Sequence, residues 1–361
     1  MDNPMLSREG RVNRLDAFRL IFAVTVLCAH SYFASEGHHG SDPLARSTEN
    51  QITAGSLAVD GFFAISGFLV TESWFRSRGL PNFLLRRVLR IYPGYVVACL
   101  FCVAVAGPLG AESVSRYWED FHPGAFARSV GLLLQPVLPP TFLTNPARNI
   151  VGASMWTISF EFGCYLGVAA LGITGLLRRG VAFGLLLLAV AANLGCDFEA
   201  YSYLQVAGFQ PPQDAPDLRP WSDWARFLSF FLAGMVAHLG RDSIPRSRII
   251  AIACGVGLLV SSQFPPGFVA ILPLAGVYLL FYAAFPPGIG EPREGRPDLS
   301  YGIYLYSFPI QQLIVASMNK VSPWPLSFLA IPPTLILASL SWYAIERPAL
   351  ALKGKTRSID R

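Results

Sequence analysis

Residues 19–30, RLIFAVTVLCAH, set an arginine and a histidine at the two ends of a nearly unbroken apolar run. The stretch lies inside a longer apolar segment over 15–35. Whether that segment is a membrane helix decides the fold. A helix needs roughly 20 residues to cross a hydrocarbon core of ~30 Å, so the segment is long enough. The rest of the chain agrees: of 361 residues, 53% are hydrophobic and only 14% charged, against about 25% charged in an ordinary soluble domain. Mean hydropathy is +0.44. Apolar runs recur at 53–75, 91–110, 150–177, 181–196, 225–240, 249–264, 268–285, 301–318 and 326–346. The pattern predicts an all-α integral membrane protein, a bundle of about ten transmembrane helices in a single domain over 1–361 with its core at 13–350.

The net charge of +5 does not point to nucleic acid, because the basic residues alternate between loops. Arg8, Arg11 and Arg14, then Arg76, Arg78, Arg86, Arg87 and Arg90, Arg178 and Arg179, Arg241, Arg246 and Arg248, Arg293 and Arg296, and the tail ALKGKTRSIDR fall on one side. The other side receives Arg46, Arg116, Arg128, Arg148, Arg219, Arg226 and Lys320. Basic loops stay cytoplasmic, so both termini are expected there, in a multi-pass protein of the inner (plasma) membrane surrounded by lipid. The first apolar segment is too long for the h-region of a cleaved signal. The six cysteines fall in or beside apolar runs, Cys99 and Cys102 at CxxC spacing within one of them, so neither a disulfide framework nor a metal site is expected. On the outer side the prolines of LLLQPVLPPTFL (132–143) favour an interfacial or re-entrant segment over a span. The QPPQDAPDLRP stretch (210–220) is read as an outer turn.

Ionisable groups within a bilayer are costly and face a protein interior or a wet cavity. Five sets stand out. Arg19 and His30, eleven residues apart, are ~16 Å apart along a helix and return to nearly the same face; a neutral imidazole there can move a hydroxyl proton. In VDGFFAISGFLVTE (59–72), Asp60 and Glu72 flank Ser66 and Gly67, whose small size suits close helix approach. In LLRRVLRIYP (84–93), Arg87 and Arg90 share a face and Arg86 adds a third cation. These guanidiniums fit phosphates and equally fit lipid headgroups. Glu161, within MWTISFEFGCYLG (155–167), needs a partner, either His30 or an arginine. DLSYGIYLYSFPIQQ (298–312) starts a helix with Asp298 as an N-cap, and Glu346 in SWYAIERPAL (341–350) closes the last one.

In that order, NRLDAFRLIFAVTVLCAH, FFAISGFL, RRVLRIYP, WTISFEF, DLSYGIYLYSFPIQQ and SWYAIERPAL resemble the successive landmarks of the acyltransferase family 3 membrane proteins, over residues 13–350. The resemblance implies an enzyme that carries an acyl group, usually acetyl, from cytoplasmic acyl-CoA to a hydroxyl of an extracytoplasmic or lipid-linked carbohydrate: exopolysaccharide, lipopolysaccharide O-antigen or oligosaccharide. Acyl-CoA is then a donor substrate, and no bound cofactor is called for. By position, His30 is the catalytic histidine, Arg19 its partner, and Arg87 and Arg90 the cytoplasmic RxxR pair at the CoA phosphates, to which Arg86 is added here as a third donor-binding cation. Glu161 is added here as a third catalytic group, stabilising the imidazolium. His30 either activates the hydroxyl for direct attack or carries the acyl group covalently. Two positions depart from the family pattern: Ser307 stands where many members have a histidine, and SFEF offers one acid where others have two. Intramembrane charge also suits a rival class, a transporter or flippase of a glycolipid or acylated small molecule.

Overall fold

The computed structural model describes residues 14–38, 41–205, 219–286, 297–318 and 320–355. Arg8, Arg11, Arg293, Arg296, most of the QPPQDAPDLRP turn and the end of the basic tail lie outside the described residues. The chain is all helical, with no strand among the described residues. The long helices are α1 (Leu15–Glu36), α2 (Ala54–Phe75), α3 (Leu80–Phe101, continued through a π-helical turn at Cys102–Ala106 to Gly110), α4 (Thr157–Ile173), α5 (Arg179–Gln205), α6 (Arg219–Leu239), α7 (Arg248–Ser261), α8 (Gly267–Ala284), α9 (Ser300–Ser317) and α10 (Pro323–Ser341, continued through a second π-helical turn at Trp342–Glu346). Five have the length and apolarity to cross a membrane: α1, α2, α3, α8 and α10 with their extensions. Parts of α4, α5 and α7 are apolar but shorter.

Small residues let α2 and α6 touch backbone to backbone. A Cβ on Gly67 would stand 1.9 Å from the carbonyl oxygen of Phe231, and one on Gly234 would stand 1.9 Å from that of Ala64. The close approach expected from the SG pair is therefore made, with α6 as its partner. It is locked by charge: Asp60, 1% exposed, accepts a 2.9 Å bond from Arg226, whose Nη2 also donates to the Ser56 carbonyl at 2.8 Å. Arg226 thus belongs to the helix packing rather than to an outer loop. Glu72 pairs with Arg76 one turn on, at 2.8 Å.

Helix α9 runs through the middle of the bundle. Thirteen of its 18 residues are buried, including Ser307, Gln311 and Gln312, and such polar side chains keep it outside the five helices apolar enough to cross a membrane. Its polar groups hold neighbours. Gln312 donates to the carbonyls of Ala147 and Ile150, and Asn145 donates back to the Gln312 amide oxygen at 2.9 Å. The Ser154 hydroxyl donates to the Tyr304 carbonyl at 2.5 Å. In this way the non-helical segment 132–156 is drawn in, with Leu133, Phe142, Ala147 and Met155 all buried. Buried irregular backbone needs such partners, and 132–143 is non-helical, as its prolines predict.

Alanine at Gly67 or Gly234 is expected to lower stability in detergent by ~1–3 kcal/mol through overpacking. Gly184→Ala, with nothing within 4 Å of the added atom, should stay within ~0.5 kcal/mol of wild type. Thermal unfolding of the three variants separates a backbone crossing from loose packing: equal midpoints would show that α2 and α6 do not depend on these glycines.

Candidate active site

A cavity of about 240 Å³ lies among α1, α2, α3, α4 and α9, lined by Arg19, Arg87, Arg90, Glu161, Ser66, Tyr165, Tyr301 and Tyr304 together with apolar residues of α2. Along α2 its wall runs from Val59 to Val70, ~16 Å of helix. Phe22 packs where a Gly61 Cβ would stand, and Ala29 faces Gly55, so α1 and α2 are antiparallel. Arg19 meets Asp298 while Ser31 meets Gln311, so α1 and α9 run side by side in the same direction. The arginines therefore mark one end of the cavity, and Val59, Phe62 and Tyr304 the other.

At the arginine end one carboxylate oxygen serves two cations. Oδ2 of Asp298 accepts from Nη1 of Arg19 and Nη2 of Arg90, both at 2.5 Å, with all three side chains 15–19% exposed. Oδ1 accepts from the backbone N–H and hydroxyl of Ser300 at 3.2 and 2.5 Å, so Asp298 does cap the entry to α9 as expected. Burial alone would push its carboxyl up, but the Arg19 and Arg90 guanidiniums outweigh burial and hold it well below the usual carboxylate range. Arg90 also lies over the Tyr301 ring, 5.7 Å from its centre, within reach of cation–π attraction. Glu346, 3% exposed, sits at this junction and accepts from Ser341 at 2.9 Å.

Arg87 is held differently. Its Nη2 donates to the Ser73 hydroxyl at 3.2 Å, its guanidinium covers the Tyr165 ring at 5.6 Å, and its buried Nε has no hydrogen-bond partner. No ion pair joins it to a carboxylate among the described residues. Glu161 lines the same cavity, where Oε1 accepts from the Tyr165 hydroxyl at 2.6 Å and from Ser66 at 2.9 Å. Of the two partners anticipated for Glu161, the arginine side of the cavity is the one at hand. Arg86 is turned to Asn82, 2.9 Å away, and does not line the cavity.

His30 is half-buried and stands beyond the cavity, its ring edge-on to Phe308 at 5.4 Å. The backbone on either side of it is fixed by Gln311, which donates to the Leu27 carbonyl at 2.7 Å and to the Ser31 hydroxyl at 2.8 Å; Ser327 donates to Ser31 as well, at 2.8 Å. The arrangement thus gathers Arg19, Arg87, Arg90 and Glu161, and leaves His30 at the far end of α1. Sequence reasoning missed the double pairing of Asp298, the Ser66–Tyr165 cradle for Glu161, and Gln311. A signal for the first existed: acids are so scarce near the spans that Arg19 had few possible counter-ions.

An acyltransferase domain profile matches residues 12–343. The chain belongs to the acyltransferase 3 family. It is similar to an O-acetyl transferase of Shigella phage Sf6, 25% identical over 96% of this chain and 99% of that one. It is similar also to nodulation protein 10 of Rhizobium leguminosarum bv. viciae, 28% identical over 96% and 95% of the two chains. A third relative, the peptidoglycan O-acetyltransferase OatA of Listeria monocytogenes, is 25% identical over 81% of this chain and 51% of its own length. No solved structure matches. Membership makes the chain an O-acyltransferase with several apolar helices suited to a membrane.

Asp298→Asn keeps the shape and removes the shared charge, leaving two guanidiniums facing one another. Breaking a buried pair costs ~3 kcal/mol or more, so a marked loss of thermal stability is expected. In Arg19→Gln/Asp298→Asn the second change should cost less than it does alone. Strict additivity across this cycle would mean that the bridge contributes nothing to the fold.

Proposed function

We propose that the enzyme takes an acyl group, acetyl foremost, from cytoplasmic acyl-CoA and transfers it to a hydroxyl of a carbohydrate on the opposite side of the inner membrane. The acceptor is an exopolysaccharide, O-antigen or oligosaccharide. In this reading α1–α10 all cross, and both termini are cytoplasmic. The observation that carries it is the cationic end of the cavity: Arg19 and Arg90 share one carboxylate, while Arg87 keeps a buried donor without a partner. Three guanidiniums at one end, one of them with a buried donor still unpaired, favour a phosphate-bearing donor over a neutral solute, which is what a transporter of sugars or lipids would hold. Two relatives, an O-acetyl transferase and a peptidoglycan O-acetyltransferase, support oxygen as the acceptor atom, the second on a carbohydrate polymer.

The reaction follows from the two ends. Arg87, with Arg90 behind it, holds donor phosphate at the cytoplasmic end, and the thioester arm extends along α2 toward His30. The imidazole takes the proton of the acceptor hydroxyl as that oxygen attacks the thioester carbonyl. The carbon–sulfur bond then breaks, and the departing thiolate receives the proton from the imidazolium. Arg19 fixes the register of α1 against α9. Glu161, hydrogen-bonded to Ser66 and Tyr165, balances the charge of Arg87 when the donor is absent.

Membranes bearing wild type, His30→Ala or Arg87→Ala at equal abundance, given radiolabelled acetyl-CoA, test this. Wild type should label surface polysaccharide. His30→Ala should lose ~10²-fold or more in rate, and Arg87→Ala should raise KM for acetyl-CoA by about tenfold with a smaller change in kcat. Labelling by His30→Ala at the wild-type rate would make the histidine structural.

A further inference from the structure

The cavity stops short of His30, and what closes it is aromatic. Phe62 and Tyr304 meet edge to face, 5.8 Å between ring centres, at the end of the cavity remote from the arginines. Tyr304 lies one turn before Phe308 on the same face of α9, and Phe308 is the ring in contact with His30. The pair therefore stands between the cavity and the histidine. Both rings are braced. The Tyr304 hydroxyl is 2.5 Å from the Thr157 hydroxyl on α4. Phe62 rests edge-on against Phe22 at 5.7 Å, and Phe22 in turn fills the space left open by Gly61. Side chains from α1, α2, α4 and α9 thus make one diaphragm, and nothing in the polar network of the arginine end reaches it.

Resting on the reading that the cavity receives an acyl-CoA, we propose that Phe62 and Tyr304 are the acyl-length filter of the enzyme. The thioester end, carried up the cavity wall of α2, meets the Phe62 ring at the level of Phe22, about two helical turns (~12 Å) before His30 on α1. A two-carbon acyl group passes beside the rings with small adjustments of Phe62. A longer chain must displace a ring that is braced from behind. Phe62 is the yielding member, since its contacts are apolar, whereas Tyr304 is tied by its hydroxyl. The filter selects by size alone and adds nothing to the chemistry at the carbonyl.

The test uses the full-length protein in lipid nanodiscs, with surface polysaccharide from the cells that make it as acceptor. Release of free thiol is followed from acetyl-, butyryl- and hexanoyl-CoA. Wild type should prefer acetyl-CoA, and Phe62→Ala should lower the acetyl-to-hexanoyl ratio of kcat/KM by about tenfold or more. Phe62→Leu, which keeps the volume of the core better, should move the ratio the same way by less, and it supplies the reading if the alanine variant does not fold. Tyr304→Phe keeps the ring and should keep the ratio. Arg87→Ala should slow all three donors alike. A ratio unmoved in a folded, active Phe62 variant overturns the filter and leaves the donor reading intact. No thiol release from any donor by wild type overturns the donor reading and the filter with it.

Discussion

Two guanidiniums brought against a single carboxylate oxygen in a place without bulk water leave the molecule little freedom. Asp298 at the start of α9 must sit where both Arg19 of α1 and Arg90 of α3 can reach it, because each cation alone would be expensive to keep there. That one contact sets the relative height of three helices. It also fixes what is left over: with Arg19 and Arg90 turned to a shared acid, Arg87 is held by the Ser73 hydroxyl and the Tyr165 ring face. The same arginine motif is thus divided by geometry into a part that builds the site and a part that can bind at it.

The far end of α1 obeys a different rule, the need to satisfy buried amides and hydroxyls. Gln311 and Gln312 are adjacent on α9 yet point to opposite tasks. Gln311 holds the backbone and Ser31 hydroxyl around His30, and Gln312 pulls the segment 141–153 inward. Since neither amide has water to fall back on, both contacts are strongly determined. The histidine is therefore positioned from the backbone side by the same helix whose capping residue, Asp298, pairs with Arg19 and Arg90. A rigid α9 ties the two ends of the site together.

Much of this was legible in the chain. Apolar run length gave the helices, the scarcity of charge gave the short list of groups worth examining, and the SG pair at 66–67 gave a helix contact that the Gly67–Phe231 approach bears out. What was not legible depends on which helices are neighbours. Period and composition place Glu161 inside a span but do not say whether α1 or α2 and α3 lie beside it, so His30 and an arginine were equal prospects. Asp298 and Glu346 were read as caps because local sequence describes a helix end and not what another helix brings to it. Arg226 was assigned to a loop by counting charge near a span edge, although the helix begins at Arg219 and carries it inward to Asp60.

The separation of cationic end and histidine end has a chemical reason. A donor rich in phosphate calls for guanidiniums and an acceptor hydroxyl calls for a base, and positive charge beside any imidazole opposes the proton transfer asked of it. Here the Phe62 and Tyr304 rings close the end of the cavity remote from the arginines. On the proposed reading, a donor held at the arginines spans the gap with a long and narrow reach, and the rings become the obstacle its acyl group has to pass. Selection for a small acyl group would then follow from keeping the base away from the charges that hold the donor.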